Sequence, residues 1–383
     1  MEAITRKSID EVFGVDAALF KASGSQSTTS IRVFERTTDT PAMIDGFHFQ
    51  PDTLRRIMVW MASGSLPESF SKAKMKRNLM VFGPTGCGKT ELIRQVCART
   101  GRSLFRFQCG EDTETPQMFG SWKLCRPLVK DESTEELGII EKGFTGIARA
   151  IEKLAVSMKR VTGIGPEMTF VDGPVLRWAR TPNSILLLDE FDQLPPSVAM
   201  SLNAALDGDD ILVPETGERV KLAPGCLIVA TGNTNGRGSA GGNGGSASLY
   251  KGVKRQNIAS LDRFFVINAG YLSEDEEIGL LKSQVGMAEP AAKAMAQLAS
   301  IVRKQFLGLN EDAGANGAPL EFTITTRNLL NWGLTHRLLM AMGLDSQNAF
   351  KEGLRMTLLD FGNAAERQAI FDAWTNILGD TGS

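Results

Sequence analysis

The chain has 383 residues, 22% of them charged and 42% hydrophobic, with a formal net charge of −2, the balance of a folded globular protein of two or three domains. That charge excludes a globally basic nucleic-acid surface, and no apolar run reaches transmembrane length. Five cysteines without metal-ligand spacing and only two histidines, His48 and His336, exclude a disulfide framework and a histidine-rich metal centre, so a reducing, cytoplasmic setting is expected.

In chain order, Ile9 to Phe20 (IDEVFGVDAALF) reads as a short helix broken at Gly14, and Ser23 to Ser30 as a polar linker. Pro51 to Ala62 has helical spacing, with Asp52 the expected N-cap. Lys72, Lys74, Lys76 and Arg77 then form a basic stretch, either a solvated surface or a phosphate or nucleic-acid contact. Leu79 to Phe82 reads as a buried strand. The loop after it, Gly83, Pro84, Thr85, Gly86, Cys87, Gly88, Lys89 and Thr90, fits G-x-x-x-x-G-K-[ST]. ELIRQVCART continues with helical spacing, so the loop sits between strand and helix as a phosphate cradle requires. Its glycines let backbone N–H groups turn toward a polyphosphate, and the helix adds the positive end of its dipole. Lys89 would neutralise the β- and γ-phosphates of ATP, and Thr90 would hold Mg²⁺.

Ser103 to Cys109 reads as a second strand, followed by a polar loop ending at Met118, Phe119 and Gly120. Lys123 to Gly138 is irregular and charged, and Gly146 to Arg160 is an amphipathic helix. Ile185 to Leu188 reads as a central parallel strand ending in Asp189 and Glu190. A carboxylate pair at the C-terminal end of such a strand faces the ligand crevice. Asp189 would hold Mg²⁺, and Glu190 would orient or activate the attacking water.

Ser197 to Leu206 reads as a helix, with a hairpin over Ile211–Val213 and Glu218–Leu222. Cys226 to Ala230 is a further strand running to Asn233, which either positions the hydrolytic water or is an ordinary turn residue. Gly236 to Ser248 is glycine-rich and expected to be a mobile loop. Arg263, beside Asp262, either pairs with it or reaches a neighbour's γ-phosphate as an arginine finger. From Ser273 onward the pattern is helical only. Ser273 and Glu276 form a capping box, and helices follow over Ala291–Phe306, Thr325–Met342, Gln347–Leu359 and Asn363–Leu378. Thr326 is the expected N-cap of the second. Arg327 lies in its first turn, where a cation opposes the helix dipole, which makes it a candidate nucleotide contact.

This order of motifs resembles the AAA+ ATPases: an α/β P-loop nucleotide-binding domain followed by an all-helical lid. Within them it is most similar to the MoxR-like branch and its cobaltochelatase ATPase (CobS) type. The resemblance is carried by EVFGVD (Glu11–Asp16), the phosphate loop, GPVLRWA (Gly173–Ala179), LLLDEFD (Leu186–Asp192), VATGNTNG (Val229–Gly236), SLYKG (Ser248–Gly252) and LDRF (Leu261–Phe264). It implies Lys89 and Thr90 as Walker A, Asp189 and Glu190 as Walker B, Asn233 as sensor 1, Arg263 as the arginine finger and Arg327 as sensor 2. It also implies an axial pore loop at Met118 and Phe119, and an insert in helix 2 near Phe170–Trp178. The expected organisation is an N-terminal segment (1–70) suited to partner docking, an ATPase domain (71–270) and a helical lid (271–383). A homo-oligomeric ring, a hexamer, working with a von Willebrand A domain partner (CobT-like) is implied. The glycine-rich loop and Lys123–Met168 are longer than the cobaltochelatase pattern.

Three functions follow: a ring ATPase remodelling a partner protein, the ATPase subunit of a cobalt chelatase, and a nucleic-acid motor. The last rests on Lys72–Arg77, Lys251, Lys254 and Arg255 alone.

Overall fold

The computed structural model describes residues 5–16, 30–63, 78–125, 167–233, 258–306 and 323–380. The chain opens with β1 (Thr5–Ser8), α1 (Ile9–Phe13), β2 (Ser30–Val33) and α2 (Pro51–Ser63). Gly14 ends α1 in the left-handed conformation (φ 67°), where a glycine carries no Cβ penalty. Helix α2 starts at Pro51, so Asp52 lies within its first turn and is not its N-cap. A proline suits this position because its missing N–H would have no helical acceptor.

The next elements are β3 (Asn78–Phe82), α3 (Lys89–Thr100), β4 (Leu104–Gln108), α4 (Thr115–Phe119), β5 (Gly120–Cys125), β6 (Glu167–Asp172), α5 (Pro174–Arg180) and β7 (Ile185–Asp189). They continue as α6 (Pro196–Ser201), α7 (Asn203–Asp207), β8 (Ile211–Leu212), β9 (Arg219–Val220), β10 (Leu227–Gly232), α8 (Ile258–Leu261) and β11 (Phe264–Asn268). The single helix expected over Ser197–Leu206 is thus two short ones meeting at Leu202, whereas the β8–β9 hairpin lies where it was expected.

Five strands form one parallel sheet in the order β11-β3-β10-β7-β4. Side chains alternate across it, as the pleat demands. Leu79, Val81, Ile185, Leu187 and Val229 pack on one face against Ile9, Phe13, Leu54, Ile57 and Ile93. Met80, Phe82, Leu186, Leu188 and Ala230 pack on the other against Val175, Trp178, Leu202 and Leu206. The N-terminal segment is therefore part of one covering layer.

The antiparallel pair β5–β6 lies between α4 and α5 in the chain. Met118 and Phe119 are buried beneath it in α4. This corrects their expected placement in an axial pore loop: their side chains stabilise the core. The amphipathic helix at 146–160, the basic stretch 72–77, the glycine-rich loop 236–248 and SLYKG lie outside the described residues.

After β11 the described chain is helical: α9 (Glu274–Leu280), α10 (Glu289–Phe306), α11 (Thr326–Ala341), α12 (Ser346–Thr357) and α13 (Ala364–Asp380). Their core centres on Leu298, Leu329, Trp332, Phe350 and Trp374. A buried ion pair joins α9 and α10. Arg303 donates from Nη1 and Nη2 to Glu277 at 2.9 and 2.8 Å, and Thr326 Oγ1 donates to the same carboxylate at 3.0 Å. No described helix is long and apolar enough to cross a membrane.

Candidate functional site

The C-terminal ends of β3, β7 and β10 and the start of α3 meet at one cavity of about 460 Å³. The phosphate loop bends tightly here. A Cβ on Gly83 would sit 2.0 Å from the Ala269 carbonyl oxygen, and one on Gly86 (φ +69°) 2.4 Å from Thr325. Only glycine permits both approaches, and the second brings the N-terminus of α11 against the loop. Tyr271, between β11 and α9, donates its hydroxyl to the Thr85 carbonyl at 2.8 Å. Its ring lies 4.2 Å under the Arg303 guanidinium. The phosphate loop, Tyr271 and α10 therefore share a continuous set of contacts.

Lys89 is buried and donates to the carbonyls of Gly83 and Pro84 at 2.8 and 2.9 Å and to Asn233 Oδ1 at 3.0 Å. Burial pulls its pKa down, while Cys87, Asp192, Asp189 and Glu190 push it back up. Thr90 Oγ1 donates to Asp189 Oδ1 at 2.8 Å, and Thr231 Oγ1 to the same oxygen at 2.5 Å.

Glu190 takes left-handed backbone angles (φ 57°, ψ 42°), a conformation costing a non-glycine residue on the order of 1 kcal/mol. Three contacts hold it: its N–H donates to Thr231 Oγ1 at 3.1 Å, and the Gln108 and Gln193 amides donate to Oε2 at 2.8 and 3.1 Å. Burial holds its carboxyl above the usual range, with the Asp189 and Asp192 charges adding and Gln108 and Lys89 opposing. The Asn233 N–H donates to Asp192 Oδ2 at 2.9 Å, so this residue is pinned at both ends.

Lys89, Thr90, Asp189, Glu190, Asn233 and Arg327 all line this cavity. Arg327 lies in the first turn of α11, whose N-cap is Thr325 and not Thr326: the Thr325 hydroxyl accepts the Asn328 N–H. An adjoining cavity of about 440 Å³ shares Gly86, Lys89 and Arg327 and continues between Ile44, Phe47, Leu272, Val285 and Leu330. Its mostly apolar walls with a few polar groups suit a nucleoside.

Arg263 stands elsewhere. It precedes β11, at the end of the sheet where Asn78 begins β3 and donates to the Arg263 carbonyl at 3.1 Å. At about 3.3 Å per strand residue, this is roughly 20 Å from its own phosphate loop. Its guanidinium binds Asp207 through Nε and Nη2 at 2.6 and 2.9 Å, and the Asp262 charge also acts on it.

Arg106 and Gln108 are site residues that the sequence reading passed over. Arg106 donates from Nε and Nη2 to Asp189 Oδ2 at 3.0 and 2.6 Å, and from Nη2 to Gln108 Oε1 at 2.8 Å. The signal was present in SLFRFQC. Two polar residues at alternate strand positions share one face, opposite Phe105 and Phe107. What was missing was the sheet order that sets β4 beside β7.

A family profile described as an AAA domain (dynein-related subfamily) matches residues 78–140 and 150–251. An uncharacterised protein of Staphylococcus haemolyticus is 26% identical over 62% of this chain and 68% of its own length. One of Staphylococcus saprophyticus is 26% identical over 57% and 65%. Protein NorQ of Paracoccus denitrificans is 24% identical over 65% and 69%. The matched profile, with a parallel sheet between helices, shows an AAA domain followed by C-terminal helices.

Proposed function

We propose that this chain is a MoxR-like AAA+ ATPase that hydrolyses ATP with Mg²⁺ in the cavity between phosphate loop and lid. The AAA match and the similarity to NorQ support the coarser part of this reading. The observation that carries the assignment of roles is that residues from distant segments, Lys89, Asp189, Glu190, Asn233 and Arg327, line a single cavity.

The donor set fits nucleotide and metal. A buried lysine lies among inward-facing loop carbonyls, and a threonine hydroxyl touches a strand-end carboxylate in a space large enough for a polyphosphate. Thr90 and Asp189 would hold Mg²⁺, which when bound neutralises phosphate charge. Lys89 supplies a cation to the phosphates. Glu190, fixed by the Gln108 and Gln193 amides, aligns the attacking water and draws on its proton. Asn233 holds the Lys89 ammonium, and Arg327 brings the lid's charge to the phosphates. In a Glu190→Gln variant, phosphate release should fall by about 10²–10⁴-fold, while affinity for a fluorescent ATP analogue is unchanged. Equal turnover by variant and wild type would overturn these roles.

Arg263 completes the site in trans. Its distance from its own phosphate loop supports action on a second copy's nucleotide, and hence a homo-oligomeric ring. A hexamer, a von Willebrand A domain partner and remodelling of a partner protein rest on the motif resemblance. Sedimentation with ATP tests the ring, and capture of partners by the Glu190→Gln protein in ATP tests the remodelling. The cobaltochelatase role is a narrower form of the same reading. Cobalt insertion reconstituted with partner subunits tests it.

A further inference from the structure

We propose that the N-terminal segment builds a second anion site, separate from the phosphate loop, in which Arg6, Arg32 and Arg102 hold the phosphate group of a small phosphate monoester or free phosphate. The pairing of β1 with β2 sets Arg6 directly opposite Arg32. Like charges at directly opposed strand positions repel and destabilise the pair. Both line a cavity of about 260 Å³ that also takes in Arg102. Arg102 follows α3 at the end remote from Lys89, and a helix of twelve residues sets these ends about 18 Å apart. The two sites are therefore distinct.

Arg102 is 7% exposed. Its Nη1 donates to the Gly225 carbonyl at 3.0 Å, and its guanidinium lies 4.8 Å over the Phe34 ring. Its buried Nε has no hydrogen-bond partner. Among the described residues no carboxylate lines the cavity. Burial, with Arg32 adding to it, lowers the Arg102 pKa to about 10, so the group stays charged at neutral pH. A buried cation without a counter-ion is costly to the fold. Three arginines lining one space supply the counter-charge and the planar forks that a dianionic phosphate takes best. Of the remaining described walls, Ser30 is polar and Ile9, Ile31, Met58, Met61 and Ala62 are apolar, and the apolar ones suit a small body attached to the phosphate. The volume falls below the usual range for larger ligands.

The test uses the full chain and two probes, inorganic phosphate and phenyl phosphate, with the thermal midpoint as readout. Each probe should raise the midpoint of the wild type, and the rise should survive Lys89→Ala, which removes the phosphate-loop cation. Half-saturation should need about tenfold or more probe in Arg6→Gln/Arg32→Gln. Both substituted side chains are exposed, and circular dichroism checks that the fold is kept. Arg32→Gln alone should give an intermediate shift, which reports the same site if the double variant does not fold. Tighter half-saturation for phenyl phosphate would identify a monoester ligand, and equal values would identify free phosphate. No rise in the wild type at tens of millimolar probe would overturn the proposal. So would a rise abolished by Lys89→Ala, or one unchanged in the arginine variants.

Discussion

The two ends of the parallel sheet carry charge in opposite ways. At the C-terminal ends of β3, β7 and β10, acids and bases interlock: Asp189 accepts from Thr90, Thr231 and Arg106, Glu190 from Gln108 and Gln193, and Lys89 donates to Asn233. At the other end Arg263 stands beside Asp207, with side chains 27% and 39% exposed. The crowded end is a site with fixed geometry. The sparse end offers a partly exposed cation held by a two-point ion pair with Asp207. On the proposed reading, the difference separates what a subunit does for its own nucleotide from what it does for its neighbour's.

The largest effect should come from the sparse end. Arg263→Ala should lower kcat by about 10³-fold or more while leaving nucleotide affinity nearly unchanged. A large stability loss without a kinetic one would make Arg263 structural. Next comes the support of the crowded end. Glu277→Ala strands the buried Arg303 guanidinium and should cost about 3–5 kcal/mol, read as a fall in the denaturation midpoint. A change below 1 kcal/mol would remove this pair from the account of what holds the lid.

Arg106→Gln sharpens the comparison within the crowded end. It deletes two charge-assisted hydrogen bonds to Asp189 and should reduce kcat/KM by about tenfold. An unchanged value would mean that the Thr90 and Thr231 hydroxyls suffice to fix the carboxylate. The smallest effect concerns pH. Because the Glu190 pKa is raised, its carboxylate forms only at higher pH than an ordinary glutamate's. Activity should therefore fall with decreasing pH while ordinary glutamates remain ionised. Gln108→Leu, which removes a hydrogen bond that lowers this pKa, should move the acid limb further up. A limb unmoved by Gln108→Leu would assign it to another group.

The parts of the site legible in the sequence are those made by contiguous residues. The phosphate loop lies between its strand and helix, and Asp189 and Glu190 end an apolar run, so local pattern places them. The central strands β3, β7 and β10 were visible as buried runs because a parallel sheet covered on both faces reads as continuous apolar sequence. What required the fold was every contact between distant segments. Arg106 meets Asp189 only because β4 lies beside β7, and Arg303 meets Glu277 only through lid packing. Met118 and Phe119 look the same in sequence whether they project from a loop or fill a core. Position within a motif order did not separate these cases, whereas burial did.

The most direct test of a site shared between copies mixes two inactive proteins. Lys89→Ala retains Arg263 but lacks the phosphate cation, and Arg263→Ala retains the cradle but lacks the finger. Each alone should release almost no phosphate, and the mixture should regain a substantial part of wild-type ATPase activity as hybrid interfaces form. A mixture that forms hybrid oligomers yet stays inactive, or an Arg263→Ala protein fully active alone, would contradict the shared site.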